Sequence, residues 1–189
     1  MKIIAGLHRG RKIEVIVDKN LRPTRPIVRE AVFSILSSGE FLSDQGRSFV
    51  ESAVVLDLFS GSGSFSMEAL SRGAAQVILI DKERSHIELA KHNIESIKET
   101  DKATFICVDI NRLLPAKEAV DLVFIDPPYK QNLVADSIIK LQHNGWLKKD
   151  TLIIAEVGIR DAENIPEGFL LLFKREYGNT KLLLFRAKS

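Results

Sequence analysis

Val120-Asp-Leu-Val-Phe-Ile125 runs directly into Asp126-Pro127-Pro128-Tyr129, and this stretch decides how the rest of the chain is read. An apolar run of six bounded by turn residues predicts a strand buried on both faces, the kind found inside a parallel sheet. Two consecutive prolines then stop it. Neither can donate to a sheet ladder, and Pro127 restricts the backbone of Asp126. The expected product is a rigid loop at the carboxyl end of a central strand, with a carboxylate at its start and an aromatic ring at its end. In open α/β sheets that end is where ligands bind.

The loop suits a planar group that carries an amine. An exocyclic amino group on a nucleobase is a poor nucleophile because its lone pair is delocalised into the ring. Acceptors on its two hydrogens can turn that lone pair toward an electrophile. Asp126 supplies one, and a main-chain carbonyl of Pro127-Pro128 supplies the other. Tyr129 offers a face on which the base can stack. Positioning of this kind carries most of the catalysis once a methyl donor lies in line. The catalytic candidates are therefore Asp126, Pro127, Pro128 and Tyr129.

Working outward, strands and helices alternate as in a doubly wound α/β fold. Strands are expected over 53–59, 76–80, 102–108 and 151–157, and helices over 65–72, 83–97 and 131–143. Phe169–Lys174 and Lys181–Arg186 read as an antiparallel pair at one side of the sheet. Between the first strand and its helix lies Ser60-Gly-Ser-Gly-Ser64. Small residues there let the backbone approach a ligand, and amide groups at the helix start face it. A dinucleotide fingerprint would place a third glycine where Ser66 stands. Asp57, still on the strand, would also repel a pyrophosphate and attract an amine.

S-adenosylmethionine has an ammonium, a ribose diol and an adenine, and no phosphate. Asp57, Asp81 and Asp109 match those groups in chain order, each at a strand end. Asp81 lies about twenty residues beyond the glycine turn, the spacing at which a carboxylate takes ribose hydroxyls. The cofactor-binding candidates are Asp57, Phe59, Ser60, Gly61, Gly63, Ser64, Asp81, Lys82, Asp109, Ile110 and Asp126. No metal is expected.

At 189 residues with 45% hydrophobic content the chain suits one α/β domain with a small appendage. Charge is distributed unevenly. The first thirty residues hold eight basic and three acidic side chains, +5 in a chain whose total is +2. Lys2–Ala5 and Arg11–Val17 read as a β-hairpin with a basic tip, followed by a helix capped at Thr24 with Pro26 in its first turn. Val28, Ala31, Val32, Ile35 and Leu36 form that helix's expected buried face, and Arg25 and Arg29 share one edge. A basic arm on a mildly acidic domain suggests a polyanion. Its candidate contacts are Arg9, Arg11, Lys12, Arg22, Arg25 and Arg29. The expected division is residues 1–40 as an RNA-facing extension and 41–189 as the cofactor-binding domain. The single cysteine, Cys107, is expected buried in its strand, which fits a reducing compartment. The short apolar N-terminus and the lack of any long apolar run point to a cytoplasmic protein that meets no membrane.

The set Asp57-Leu-Phe-Ser-Gly61-Ser-Gly63, Asp81, Asp109 and Asp126-Pro-Pro-Tyr129 resembles the amino-group methyltransferases of the class I, Rossmann-like fold. Ile3-Ile-Ala-Gly6, Arg9-Gly-Arg11, Leu21-Arg-Pro-Thr24 and Val28-Arg-Glu30 resemble, more narrowly, the bacterial 16S ribosomal RNA guanine-N2 methyltransferases of the RsmD type. Glu68-Ala-Leu-Ser-Arg-Gly73, Asn144-Gly-Trp-Leu147 and Tyr177-Gly-Asn-Thr180 extend the likeness over nearly the whole chain. The resemblance implies a seven-stranded, mostly parallel sheet with an antiparallel last strand, plus an N-terminal hairpin that engages RNA. It implies S-adenosylmethionine as cofactor and methylation of one guanine N2 in 16S ribosomal RNA or a small-subunit assembly intermediate. A monomer is expected. Phe59 stands where the general methyltransferase loop has its first glycine, and its ring is expected to pack below the loop. Two other readings are a DNA adenine-N6 methyltransferase, which usually needs a recognition domain this chain has little length for, and a non-catalytic nucleic-acid-binding module, which leaves the aspartates unexplained.

Overall fold

The computed structural model describes residues 1–15, 26–42, 46–128 and 133–188. Among them, seven strands join one sheet: β1 (Val54–Leu58), β2 (Gln76–Asp81), β3 (Ala103–Cys107), β4 (Val120–Ile125), β5 (Leu147–Gly158), β6 (Phe169–Tyr177) and β7 (Thr180–Ala187). Four α-helices accompany them: α1 (Pro26–Leu36), α2 (Ser64–Ser71), α3 (Arg84–Ser96) and α4 (Leu133–His143). The strand order is β3-β2-β1-β4-β5-β7-β6. The first five strands in that order pair in parallel, and β7 lies antiparallel between β5 and β6. This is the sheet expected, antiparallel last strand included. The chain leaves β1 toward β2 and β3, then returns to β4 on the other side. The order thus reverses between β1 and β4, and a ligand crevice opens at the carboxyl ends of those two strands.

Alternation along each strand divides the apolar residues between two layers. Val55, Leu79, Leu122, Phe124 and Ile154 meet Val28, Phe33, Phe65, Ala90 and Ile94 of α1, α2 and α3. Leu56, Leu58, Val123, Ile125 and Ile153 meet Ile138 and Leu141 of α4 and Trp146. Each such side chain fully buried contributes about 1.5–3 kcal/mol. In the first layer the rings of Phe33, Phe65 and Phe124 stack, with centroids 4.9 and 4.0 Å apart. That column ties α1 and α2 to β4 two residues before Asp126.

The N-terminal hairpin forms through one antiparallel bridge, Lys2 to Lys12, with Ile3 N–H donating to the Arg11 carbonyl at 3.0 Å. Ile3 and Ile13 are buried in the same layer as Val55 and Phe124, as are Val28, Phe33 and Leu36 of α1, so the described parts of residues 1–40 share the sheet's core. Val17 of the expected second strand, and Thr24, the expected helix cap, lie outside the described residues.

Three local expectations are corrected. Cys107 is exposed, because β3 is an edge strand and Cys107 ends it. On α1, Ala31 and Ile35 are only half-buried, while Phe33 and Arg29 are fully buried. β5 begins at Leu147, four residues earlier than its apolar run. The polar Lys148-Lys149-Asp150 belongs to a register shift against β4. Thr151 closes it, its Oγ1 donating to the Val120 carbonyl at 2.7 Å and accepting from Lys148 N–H at 2.9 Å.

Candidate active site

β1 leaves the sheet through Phe59, whose φ of 65° is a backbone conformation that costs a non-glycine residue about 1–3 kcal/mol. Neighbouring β2 holds it there: Phe59 N–H and Ser60 N–H both donate to the Ile80 carbonyl, at 2.9 and 3.1 Å. The Phe59 ring packs against the second core layer. Gly63, at φ 71°, would be strained with any side chain, and a Cβ would stand a tight 3.0 Å from both Ala90 Cβ and Leu79 Cδ2. Glycine therefore lets the loop lie flat on β2 and α3 before Ser64 starts α2. Ser60 Oγ is buried and, among the described residues, has no hydrogen-bond partner. A buried hydroxyl left unpaired costs about 1–3 kcal/mol, which a ligand's polar atom in the crevice would recover.

Asp57 lies beneath the loop, 2% exposed, on the same face of the sheet as Val55. Its Oδ2 accepts Ser66 N–H at 3.2 Å and Ser66 Oγ–H at 2.7 Å. The residue that breaks the dinucleotide fingerprint is thus the one that anchors the loop aspartate. Burial pushes the Asp57 carboxyl up to about 7; the Ser66 bonds oppose this, and the charges of Asp126 and Asp81 add to it. Such a carboxyl is poised to release its proton to solvent when a cation comes to lie beside it. Asp81 is also buried, and its two oxygens are aimed by the chain: Gly61 N–H and His86 Nδ1 on Oδ2 at 2.9 and 3.1 Å, Glu83 N–H on Oδ1 at 2.9 Å.

Asp109 is half-buried beyond β3, with Asn111 N–H on its Oδ1 at 2.8 Å and Lys140 Nζ on Asn111 Oδ1 at 2.6 Å. Hydrogen bonds from Asn111, with the Lys82 and Arg112 charges, hold its carboxyl below the ordinary range. Lys82 is exposed and Ile110 is buried in the second layer.

The parallel registers pair Leu58 with both Ile80 and Ile125. One residue further on, Asp81 and Asp126 flank the Phe59 turn. Asp126 follows Phe124 by two residues, which turns its side chain toward the face that carries Asp57. It is partly exposed, Pro127 is buried and Pro128 exposed, so the carboxylate stands at the mouth of the crevice. Tyr129 lies outside the described residues. On the other side of β4, Ile125 pairs with Ala155, so Glu156, buried, sits level with Asp126. Ser66 and His86 had no sequence signal for a role here, since each acquires one only through its bond to an aspartate of a neighbouring strand. The donor set fits a cation with a diol, and S-adenosylmethionine has both.

On the hairpin, Arg9, Arg11 and Lys12 are exposed. Arg22 and Arg25 lie outside the described residues. Arg29 as a phosphate contact is corrected: it is 0% exposed, its Nη2 donates to the Lys2 carbonyl at 2.7 Å, and its Nε stands 3.4 Å from Glu68 Oε2. Burial pulls its pKa below the ordinary value, with Glu68 opposing. The spacing of Arg25 and Arg29 placed them on one edge of a helix, but that edge turns inward at Arg29.

The family described as "Conserved hypothetical protein 95" matches residues 1–186. "Ribosomal RNA small subunit methyltransferase D" of Haemophilus influenzae is 32% identical over 98% of this chain and 93% of its own length. The protein of the same name from Escherichia coli K12 is 30% identical over 100% and 91%. Among solved structures, "Putative methyltransferase yhhF from Escherichia coli" superposes with a TM-score of 0.83 at 30% identity, covering 100% of this chain and 98% of that one. An RNA methyltransferase from Salinibacter ruber, 14% identical, shares the fold with a TM-score of 0.65. The sheet order, the glycine loop and these likenesses agree: the chain has the class I methyltransferase fold and belongs to the Conserved hypothetical protein 95 family, that of the RsmD-type methyltransferases.

Proposed function

We propose that this chain transfers a methyl group from S-adenosylmethionine to the exocyclic N2 amine of a guanine in 16S ribosomal RNA. The observation that carries the reading is the placement of Asp126-Pro127-Pro128 beside the Phe59 turn, on the face that holds Asp57. Relatives named as small-subunit ribosomal RNA methyltransferases support the substrate. When bound, the cofactor supplies a methyl group on a positively charged sulfur.

The chain's own residues do the rest. Asp57 accepts the cofactor's ammonium, Asp81 its ribose hydroxyls, and Asp109 with Ile110 its adenine. Asp126 accepts one N–H of the target amine, and a carbonyl of Pro127-Pro128 accepts the other, so the lone pair faces the methyl group. As the N–C bond replaces the methyl–sulfur bond, whose electron pair stays on sulfur, one of those hydrogens leaves as a proton, and the Asp126 carboxylate relays it to water. Tyr129 stacks on the base once it leaves its neighbours in the RNA. Arg9, Arg11 and Lys12 hold the RNA backbone. Residues 1–40 serve as the RNA-facing part and 41–189 as the catalytic part of one shared core.

The test is transfer of a tritiated methyl group to small-subunit particles, naked 16S ribosomal RNA and duplex DNA, followed by digestion to nucleosides. Label in N2-methylguanosine from the RNA substrates is the expected result. Label in N6-methyladenosine from DNA would replace the reading with the adenine one. Absence of label in all three would leave a binding module.

A further inference from the structure

The hairpin and the cofactor loop meet on one side chain. Asn93 of α3 is 1% exposed, in line with the apolar Ile87, Ala90 and Ile94. An amide buried there is tolerated only if its polar atoms are satisfied. Its Oδ1 accepts Glu14 N–H at 2.9 Å, and its Nδ2 donates to the Glu14 carbonyl at 2.8 Å and to the Ser62 carbonyl at 2.8 Å. The first two bonds mimic a strand partner for the hairpin. The third grips the loop between Gly61 and Gly63.

The other side of the hairpin is held by α2, the helix that starts from the same loop. Glu68 accepts Ile4 N–H at 2.8 Å and Ala5 N–H at 3.0 Å. The Ser71 carbonyl accepts Leu7 N–H at 2.7 Å, and a Cβ on Gly6 would come 1.8 Å from that oxygen. A two-stranded hairpin is marginal by itself, so its structure depends on this docking against α2 and α3. Two of the three bonds of Asn93 go to the hairpin and the third to the loop, so a shift of either one is felt by the other.

We propose that Asn93 is a positioning residue that couples the hairpin to the cofactor loop, so that RNA on the hairpin and cofactor in the loop each raise affinity for the other. This rests on the functions proposed above for the two sites. Reciprocity is required thermodynamically: whatever factor the cofactor exerts on RNA binding, RNA exerts on cofactor binding.

The first test uses the unmodified protein. S-adenosylhomocysteine binding is established by calorimetry, then amide hydrogen exchange is compared with and without it. The amides of Ile3, Gly10, Ile13 and Glu14, all hydrogen-bonded in or from the hairpin, are expected to exchange several-fold more slowly in the complex. Failure to bind overturns the cofactor reading and the coupling with it. Binding with unchanged hairpin amides overturns the coupling alone. The second test measures the Kd of S-adenosylhomocysteine with and without saturating small-subunit particles. In the unmodified protein the ratio should lie within about 5–150, the usual range of coupling between sites. Asn93→Ala should bring it close to one. A merely structural role would lower thermal stability and leave the ratio intact, which would contradict the proposal. If Asn93→Ala does not fold, the exchange experiment decides.

Discussion

At Asp57 a single carboxyl carries opposite consequences for folding and for binding. Its pKa is raised from 3.8 to about 7 in the folded protein, chiefly by burial. A raised folded pKa stabilises the fold fully below pH ~4 and loses that contribution as pH rises through about 7. Across that window the loss amounts to about 4 kcal/mol at 1.36 kcal/mol per unit. Asp57→Asn keeps an acceptor for Ser66 and removes the charge. Denaturant unfolding should find the variant more stable than the parent at pH 8, with the advantage gone at pH 4. Cofactor binding should move the other way. The parent's affinity for S-adenosylhomocysteine should strengthen from pH 5 to 7, as Asp57 becomes free to ionise beside the ammonium, and Asp57→Asn should bind weakly and without that slope. A parent affinity flat over this range would mean that Asp57 meets no cation. The aspartate and the glycine loop were legible because spacing along one strand and one turn defines them. Ser66 and His86, which aim the two buried aspartates, were not, because their partners are set by packing.

Elements were legible where their periodicity was strong. The central strands and α3 lie within a few residues of their apolar patterns, while β5 was shortened in the reading by the polar residues at its bulge. The α1 helix was found, and with it Val28, Val32 and Leu36 of its buried face, but the burial of Phe33 and Arg29 was not. Arg29 looked like a surface charge because its partner, Glu68, lies 39 positions away in the sequence, on α2. There Glu68 answers Arg29 at 3.4 Å, Arg72 at 2.9 Å and the hairpin's Ile4 and Ala5 amides. Removing one partner of a buried pair leaves the other charge uncompensated, at about 3–5 kcal/mol. Arg29→Ala should therefore lower unfolding free energy by that order in denaturant titrations, while the salt dependence of RNA binding by the remaining folded protein stays unchanged. A salt slope reduced in a stable variant would restore Arg29 to the RNA contacts.

At the scale of the molecule, charge separates along the chain as the function requires. In the proposed function, cofactor and amine meet carboxylates at the carboxyl ends of β1, β2 and β4, while Arg9, Arg11 and Lys12 are exposed on the hairpin. Charge asymmetry was visible in composition; that the hairpin shares the sheet's core was not, since Ile3 and Ile13 are too few to announce which layer they join. Replacing Arg9, Arg11 and Lys12 together should reduce the log–log salt slope of RNA affinity by about 0.7–0.9 for each phosphate that is no longer neutralised. Cofactor affinity measured without RNA should be unaffected. An unchanged slope in the folded triple variant would make these charges a solvated face only.

The central claim is that Asp126 holds the target amine while other residues hold the cofactor. Paired measurements on Asp126→Ala test it most directly: calorimetric affinity for S-adenosylhomocysteine, and turnover on small-subunit particles with tritiated S-adenosylmethionine. The account predicts near-native affinity and methyl transfer reduced to background. Near-native turnover in that variant would contradict it.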